Sequence, residues 1–234
     1  MTSILLTGST RGIGAATGAA LSAAGAVVIG HGSRPGPGIV AMDLHVAGAG
    51  DALWDAALAR AGGRIDVLVN NAGVFEAVAI DAPDDEWSDT WERSWRINLR
   101  SAADLCRRAV LHFRAHGGGR IVNVASRAAF RGDSPAHWHY AAAKAGMVAM
   151  TRSIARGYAA ENILAFVVAP GFTLTGMAEE YLGSRGGDKL LADIPLGRVA
   201  TTAEVAETIR WLALDAPPSL TGAVLDVNGA SYVR

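Results

Sequence analysis

The chain is poor in cysteine, poor in lysine, and without a long apolar run. Cys106 is its only cysteine. An intrachain disulfide is therefore impossible, and so is a metal site built from several thiolates. The six histidines show no H-E-x-x-H pattern. His31, His112, His137 and His139 read as non-ligands, and no metal is expected. The apolar run in MTSILLTG is too short for a signal-peptide core or a membrane span. That predicts a soluble, cytoplasmic protein with no membrane partner. An excess of one charge is missing too. The formal net charge is −1, and neither half is strongly basic, which argues against electrostatic nucleic-acid binding. Arg93, Arg96, Arg100, Arg107 and Arg108 fall near one helical face and read as a solvated or interface face.

What is present is apolar. Half the residues are hydrophobic (50%) and 18% are charged, a globular rather than disordered balance. A chain of this length is expected to form one domain, residues 1–234, with a substantial core.

The richest stretch is Val124–Lys144, VASRAAFRGDSPAHWHYAAAK. A strand-like run, Ile121–Val124, leads to Ser126. Tyr140 and Lys144 follow, four residues apart, so on a helix they share one face. Lysine is scarce here, two residues against nineteen arginines, and an ammonium is a compact point charge where a guanidinium is a broad fork. An ammonium beside a phenol favours the phenolate and is expected to lower the Tyr140 pKa. Such a tyrosine can act as general acid or base, with Ser126 holding a substrate oxygen.

Other motifs surround this one. Ser3–Thr7 is a strand entering GSTRGIG, with helix Ala15–Ala24 behind it. Glycines let a backbone turn tightly and approach a ligand, and a helix N-terminus offers N–H groups to a pyrophosphate. Val27–His31 reads as the second strand. It is followed by Gly32-Ser33-Arg34, with no acid for a ribose hydroxyl and an arginine suited to a 2′-phosphate. That favours NADP over NAD. Arg34-Pro35-Gly36-Pro37-Gly38 cannot be helical. If Ile39–Met42 is a strand, the usual crossover helix is missing and a loop stands in for it.

Further on, helices are expected over Asp51–Ala61, Asp84–Arg114 with one break, Trp138–Tyr158, and Thr201–Leu214 capped by Thr201 or Thr202. Strands are expected over Ile65–Val69, Arg120–Ala125, Ile163–Ala169 and Ala223–Val227. Trp87, Trp91 and Trp95 form a packing stripe at helical spacing. Alternating strands and helices predict an α/β fold, a doubly wound parallel sheet of Rossmann type with a shortened connection between strands 2 and 3. The glycine loop, Asn71, Ser126 and Pro170-Gly171 each follow a predicted strand, where such folds bind ligands.

In combination and order these motifs resemble the short-chain dehydrogenase/reductase family over nearly the whole chain. They are Thr7-Gly8-Ser9-Thr10-Arg11-Gly12-Ile13-Gly14, Asn70-Asn71-Ala72-Gly73, Asn98, Ser126, Tyr140-x-x-x-Lys144, Pro170–Thr175 and Asp226–Gly229. Pro195–Arg198 with Glu204–Ala206 is similar to 3-oxoacyl-carrier-protein-reductase-like members. The resemblance implies an NADP(H)-dependent oxidoreductase interconverting a carbonyl and a secondary alcohol. The alternatives are an NAD-dependent alcohol or sugar dehydrogenase and a non-catalytic dinucleotide-binding scaffold. It implies Tyr140 as proton donor or acceptor, Lys144 on the nicotinamide ribose, Ser126 on the carbonyl and Asn98 in a proton relay.

For the cofactor the resemblance implies Gly8, Gly12 and Gly14 around the pyrophosphate, with Thr7, Ser9, Arg11 and Ile13 of the same loop. It adds Ser33 and Arg34, Asp43 at the adenine with Leu44 beside it, and Asn71, Ala72 and Gly73 on the adenosine side. Pro170, Gly171, Thr173 and Thr175 complete the set near the nicotinamide. A homo-oligomer, tetramer or dimer, is implied through the helices around Arg100–His116 and Tyr140–Tyr158. The loop from Ser126 to Tyr140 is one residue longer than is typical. The small-molecule substrate is not readable. Arg127, Phe130, Arg131, Trp138, His139 and residues 174–193 are expected near it.

Overall fold

Seven short apolar runs form one parallel sheet in a computed structural model, which describes residues 1–174 and 187–234. In chain order they are β1 (Ser3–Leu6), β2 (Val27–Gly32), β3 (Ile39–Ala41), β4 (Val67–Asn70), β5 (Gly119–Val124), β6 (Ile163–Pro170) and β9 (Val224–Val227). They lie side by side as β3-β2-β1-β4-β5-β6-β9. Alternate residues point to opposite faces, so each face needs its own cover. Leu5, Leu68 and Ile121 meet α2 (Ala49–Arg60), α4 (Ser101–Ala115) and α6 (Trp138–Tyr158). Ile4, Leu6, Val69 and Val122 meet α1 (Gly12–Ala23) and α8 (Thr202–Leu214) on the other face. Every residue of β6 is buried, as a central strand covered on both sides must be.

Two irregularities bear on function. β2 and β3 pair in parallel, Gly30 against Ile39 and Gly32 against Ala41, yet residues 33–38 between them contain no helix. The loop that the proline–glycine run demands replaces the crossover. The second is the break expected in Asp84–Arg114. Helix α3 (Asp84–Trp95) continues into α4 through one π-helical turn, Arg96–Arg100. Chain direction is kept and the turn is widened. Such π-turns concentrate at functional sites, and Asn98 lies at the centre of this one.

Other expected elements hold with ends moved by one to three residues. The first helix starts three residues earlier, at Gly12, directly on the glycine loop. Thr201, not Thr202, caps α8: its Oγ1 accepts from the Glu204 N–H at 3.2 Å, and Glu204 accepts the Thr201 N–H at 2.7 Å. Not anticipated were a single turn α5 (Ala128–Arg131), a small pair β7 (Thr173–Leu174) with β8 (Ala200–Thr201), and α7 (Gly187–Ala192). Trp87 packs on Trp91 and edge-on to Trp138, with centroids 5.9 and 5.8 Å apart, whereas Trp95 is half exposed. Among the described residues no helix is long and apolar enough to cross a membrane, and no cluster of His, Cys, Asp or Glu is arranged to hold a metal ion.

Candidate active site

Because the sheet is parallel, the segments after β1, β2, β4, β5 and β6 emerge along one edge. The loop after β1 is held from beneath. Thr7 Oγ1 accepts the N–H groups of Asn71 and Ala72, each at 3.0 Å. Asn71 Nδ2 donates to the carbonyls of Thr7 and Gly8 at 3.0 and 3.1 Å. Gly8 has φ +63°, and a Cβ there would lie 2.8 Å from Ala72 Cα. A Cβ on Gly14 would lie 2.0 Å from the Gly8 carbonyl oxygen. Only glycine fits this crossing of backbones. Thr7, Gly8, Gly14, Asn71 and Ala72 are thus one packed unit at the start of α1. Arg11 is exposed there, and Ile13 packs inward against the core.

A residue outside every motif named above fixes the other side of the loop. His31, buried in β2, accepts the Gly8 N–H on Nδ1 at 3.2 Å, and its Nε2 bonds the Met42 carbonyl at 3.0 Å. Its carbonyl accepts the Ser9 N–H at 2.8 Å and the Ser9 hydroxyl at 3.1 Å. Burial holds the imidazole pKa below its usual value, favouring the neutral ring these bonds require. The available signal was its position as the one large polar residue in VVIGHG.

Ser33 and Arg34 follow β2 and are exposed. Asp43 is also exposed, its Oδ1 accepting the His45 N–H at 2.9 Å. Leu44 is buried in the core, so its side chain is committed to packing.

The second cluster lies after β4, β5 and β6. Lys144 is buried on α6 and donates from Nζ to the Val124 carbonyl at 2.8 Å. Asn98 is fully buried. Its Oδ1 accepts the Val74 N–H, and its Nδ2 donates to the Val74 carbonyl and Ser94 Oγ, all at 3.0 Å. A Cβ on Gly73 would lie 2.8 Å from Asn98 Oδ1 and 3.5 Å from Lys144 Nζ. Asn98, Gly73 and Lys144 therefore meet. Tyr140 stands beside Lys144, whose Nζ is 5.8 Å from the ring centroid. Phe75 packs edge-on to Tyr140 at 4.8 Å and stacks on His137 at 3.8 Å. Ser126 Oγ accepts the Ala128 N–H at 3.1 Å, at the start of α5.

The electrostatics correct one expectation. Lys144 was expected to lower the Tyr140 pKa. Within this protein, burial instead pushes the phenol up to about 12, with the Ser126 hydroxyl pulling the other way and Asp133 adding slightly to the rise. Burial also brings Lys144 down to about 8. An ammonium committed to the Val124 carbonyl and 5.8 Å from the ring centroid does little against desolvation of the phenolate. The resting site keeps Tyr140 protonated and Lys144 close to its titration point.

On the far side, Pro170 accepts the Arg127 N–H at 2.9 Å, and Thr173 Oγ1 donates to the Gly171 carbonyl at 3.2 Å. Gly171 approaches Asn228 closely, where a Cβ would lie 2.8 Å from Asn228 Cβ. Thr175, and most of the segment 174–193, lie outside the described residues. Beneath both clusters, Asn70 Nδ2 donates to Asn123 Oδ1 and Asn123 Nδ2 to Thr151 Oγ1, both at 2.8 Å.

A glycine cradle beside a Tyr–Lys–Ser–Asn group, its Lys144 and Asn98 buried, is the pattern of one family. The family model described as enoyl-(acyl carrier protein) reductase matches residues 8–230. The chain belongs to the short-chain dehydrogenase/reductase family. Curated relatives in this family include the 3-oxoacyl-[acyl-carrier-protein] reductase FabG of Haemophilus influenzae, 35% identical across 98% of this chain and 97% of the relative. The corresponding protein of Pseudomonas aeruginosa is 36% identical across 98% and 96%. Among solved structures, a candidate gluconate dehydrogenase of Agrobacterium tumefaciens superposes with TM-score 0.89 at 27% identity, covering 100% of this chain and 97% of that one. A candidate NAD(P)-dependent gluconate 5-dehydrogenase of Beutenbergia cavernae, with NADP bound at low occupancy, gives 0.88 at 29% identity, covering 98% and 96%. As a short-chain dehydrogenase/reductase the protein is an oxidoreductase on a Rossmann-type sheet.

Proposed function

We propose that this chain is an NADP(H)-dependent oxidoreductase that interconverts a small-molecule carbonyl and its secondary alcohol. The observation that carries the reading is the meeting of Gly73, Asn98 and Lys144 beside Tyr140, next to a cradle at Gly8 and Gly14 that no side chain can fill. The cradle fits a dinucleotide pyrophosphate: close backbone approach at the start of a helix is what that group requires. Thr7 to Gly14 and Asn71 to Gly73 would hold it, with Arg11, Ser33 and Arg34 meeting a 2′-phosphate and Pro170, Gly171 and Thr173 near the nicotinamide. The bound cofactor supplies the hydride.

The protein's own part is to hold the carbonyl and move a proton. Tyr140, protonated at neutral pH, donates to the substrate oxygen during reduction and takes the proton back during oxidation. Ser126 donates to the same oxygen, aligning it and stabilising charge as it develops there. Lys144 places positive charge beside the Tyr140 ring, and Asn98 fixes the turn that closes the site behind it. We read the protein as cytoplasmic and homo-oligomeric. The exposed groove between α4 and α6, lined by Arg107, Leu111, Met150 and Tyr158, supports assembly there.

The test is titration of the purified protein with NADPH and NADH, followed by quenching of its six Trp. NADPH is expected to bind at least about tenfold tighter, the scale of one charged hydrogen bond. Tighter NADH binding would move the chain to the NAD-dependent dehydrogenase reading. Binding of neither would remove the basis for every catalytic role above.

A further inference from the structure

Arg127 follows Ser126 directly, and its side chain is 11% exposed. Few groups are costlier to enclose than a guanidinium, and an enclosed one is ordinarily well paired. This one is not. Its side-chain hydrogen bond among the described residues runs from Nη1 to Asp193 Oδ2 at a long 3.4 Å. The same oxygen is taken at 2.7 Å by Arg131, which also donates to the Ser231 carbonyl at 3.1 Å. The guanidinium lies over the face of Phe172 at 4.8 Å, just past the Pro170-Gly171 turn. An arginine carries five donors in a planar fork, so among the described residues most of the Arg127 fork takes no protein hydrogen bond.

The charge balance points the same way. Burial and the neighbouring Arg131 charge both hold the Arg127 pKa below its usual value, and the opposing pull of Asp193 and Asp133 does not restore it. Asp193 is itself 46% exposed and shared between two cations. Asp133 is exposed and accepts the Ser134 N–H at 2.8 Å.

We propose that Arg127 and Arg131 form an anion subsite, and that the substrate is a small carbonyl or hydroxy compound bearing a carboxylate or phosphate that the Arg127 fork takes over from Asp193. The inference rests on the oxidoreductase reading and adds the substrate class to it. Arg127 directly follows the residue whose hydroxyl would hold the carbonyl, and the subsite would receive an anion carried by the same small molecule. A bidentate hold fixes orientation as well as affinity, which a lone neutral carbonyl at Ser126 and Tyr140 would lack.

The test is NADPH-dependent reduction of a series of short oxo acids, each paired with its neutral ethyl ester. The acid of the best pair is expected to exceed its ester in kcat/KM by at least about tenfold, the scale of a charge-assisted hydrogen bond. Arg127→Met should bring that ratio towards one, whatever loss the two substrates share. Asp193→Asn, which removes the competing carboxylate, should raise it. Trp quenching by NADPH reports that each variant is folded, and Arg131→Met replaces Arg127→Met if that variant is not. A ratio indifferent to all these changes, or an ester preferred throughout, overturns the anion subsite alone. Turnover of no acid and no ester overturns the oxidoreductase reading, and the subsite with it.

Discussion

The buried imidazole of His31 accepts the backbone N–H of Gly8 at 3.2 Å. One strand therefore sets the conformation of the loop built on its neighbour. The link has a direction in pH. Burial lowers the His31 pKa, so the folded state disfavours the imidazolium, whose Nδ1 can no longer accept.

Stability from this neutral histidine is fully present above the unfolded-state pKa, near 6.5. It is lost as pH falls through the lower folded-state value. Melting temperature should drop more steeply below pH 6.5 in the natural protein than in His31→Gln. His31→Phe leaves the Gly8 N–H and the Met42 carbonyl unpaired. It should cost about 1–3 kcal/mol and weaken NADPH binding in the Trp-quenching titration. Unchanged affinity and Tm in that variant would show that the brace is idle.

Tyr140→Phe removes the transferable proton and little of the packing, because the ring stays edge-on to Phe75. NADPH affinity should persist while turnover falls by roughly 10²–10⁴. Undiminished turnover would sink the assignment.

The pH profile should differ between the two reaction directions. In reduction Tyr140 is the donor, and with its phenol near 12 it stays protonated throughout the working range. Lys144 titrates near 8, so its positive charge is present below that pH and fades above it. Reduction measured as kcat/KM should therefore fall as pH rises past about 8. Oxidation needs the phenolate and should rise towards alkaline pH. A reduction profile flat to pH 10 would separate Lys144 from the chemistry.

Cys106 offers a simpler check. It is buried, contacts Asn70 and Asn123, and has its thiol pushed up to about 12 by burial. Thiolate is the reactive form, so iodoacetamide should leave the folded protein unmodified and label it once after denaturation.

The motifs that demand a backbone shape were legible in the sequence. Glycines at 8, 12 and 14, the proline–glycine run at 35–38 and the spacing of Tyr140 and Lys144 each exclude most alternatives locally. Long-range pairings were not legible. Nothing near His31 in sequence announces that Gly8 and Met42 close around it. The π-turn at Asn98 arises where α3 and α4 share one path, without a helix breaker. Spacing reports the proximity of Tyr140 to Lys144 but not the desolvation that outweighs it.

Two glycines of α1 should respond oppositely to the same substitution. A Cβ on Gly14 would lie 2.0 Å from the Gly8 carbonyl oxygen and 2.6 Å from Asn71 Nδ2, both parts of the cradle. Neither can retreat without breaking the bonds that hold the loop, so Gly14→Ala should cost about 1–3 kcal/mol as overpacking and abolish NADPH binding. One turn further along, a Cβ on Gly18 meets only the end of Leu6, at 3.5 Å, an ordinary contact. There alanine should stabilise the helix by about 0.5–1 kcal/mol and leave NADPH affinity intact. Thermal melts with and without NADPH read both effects. If Gly14→Ala bound NADPH normally, the close backbone crossing would not be what holds the pyrophosphate, and the cradle would have to be placed elsewhere.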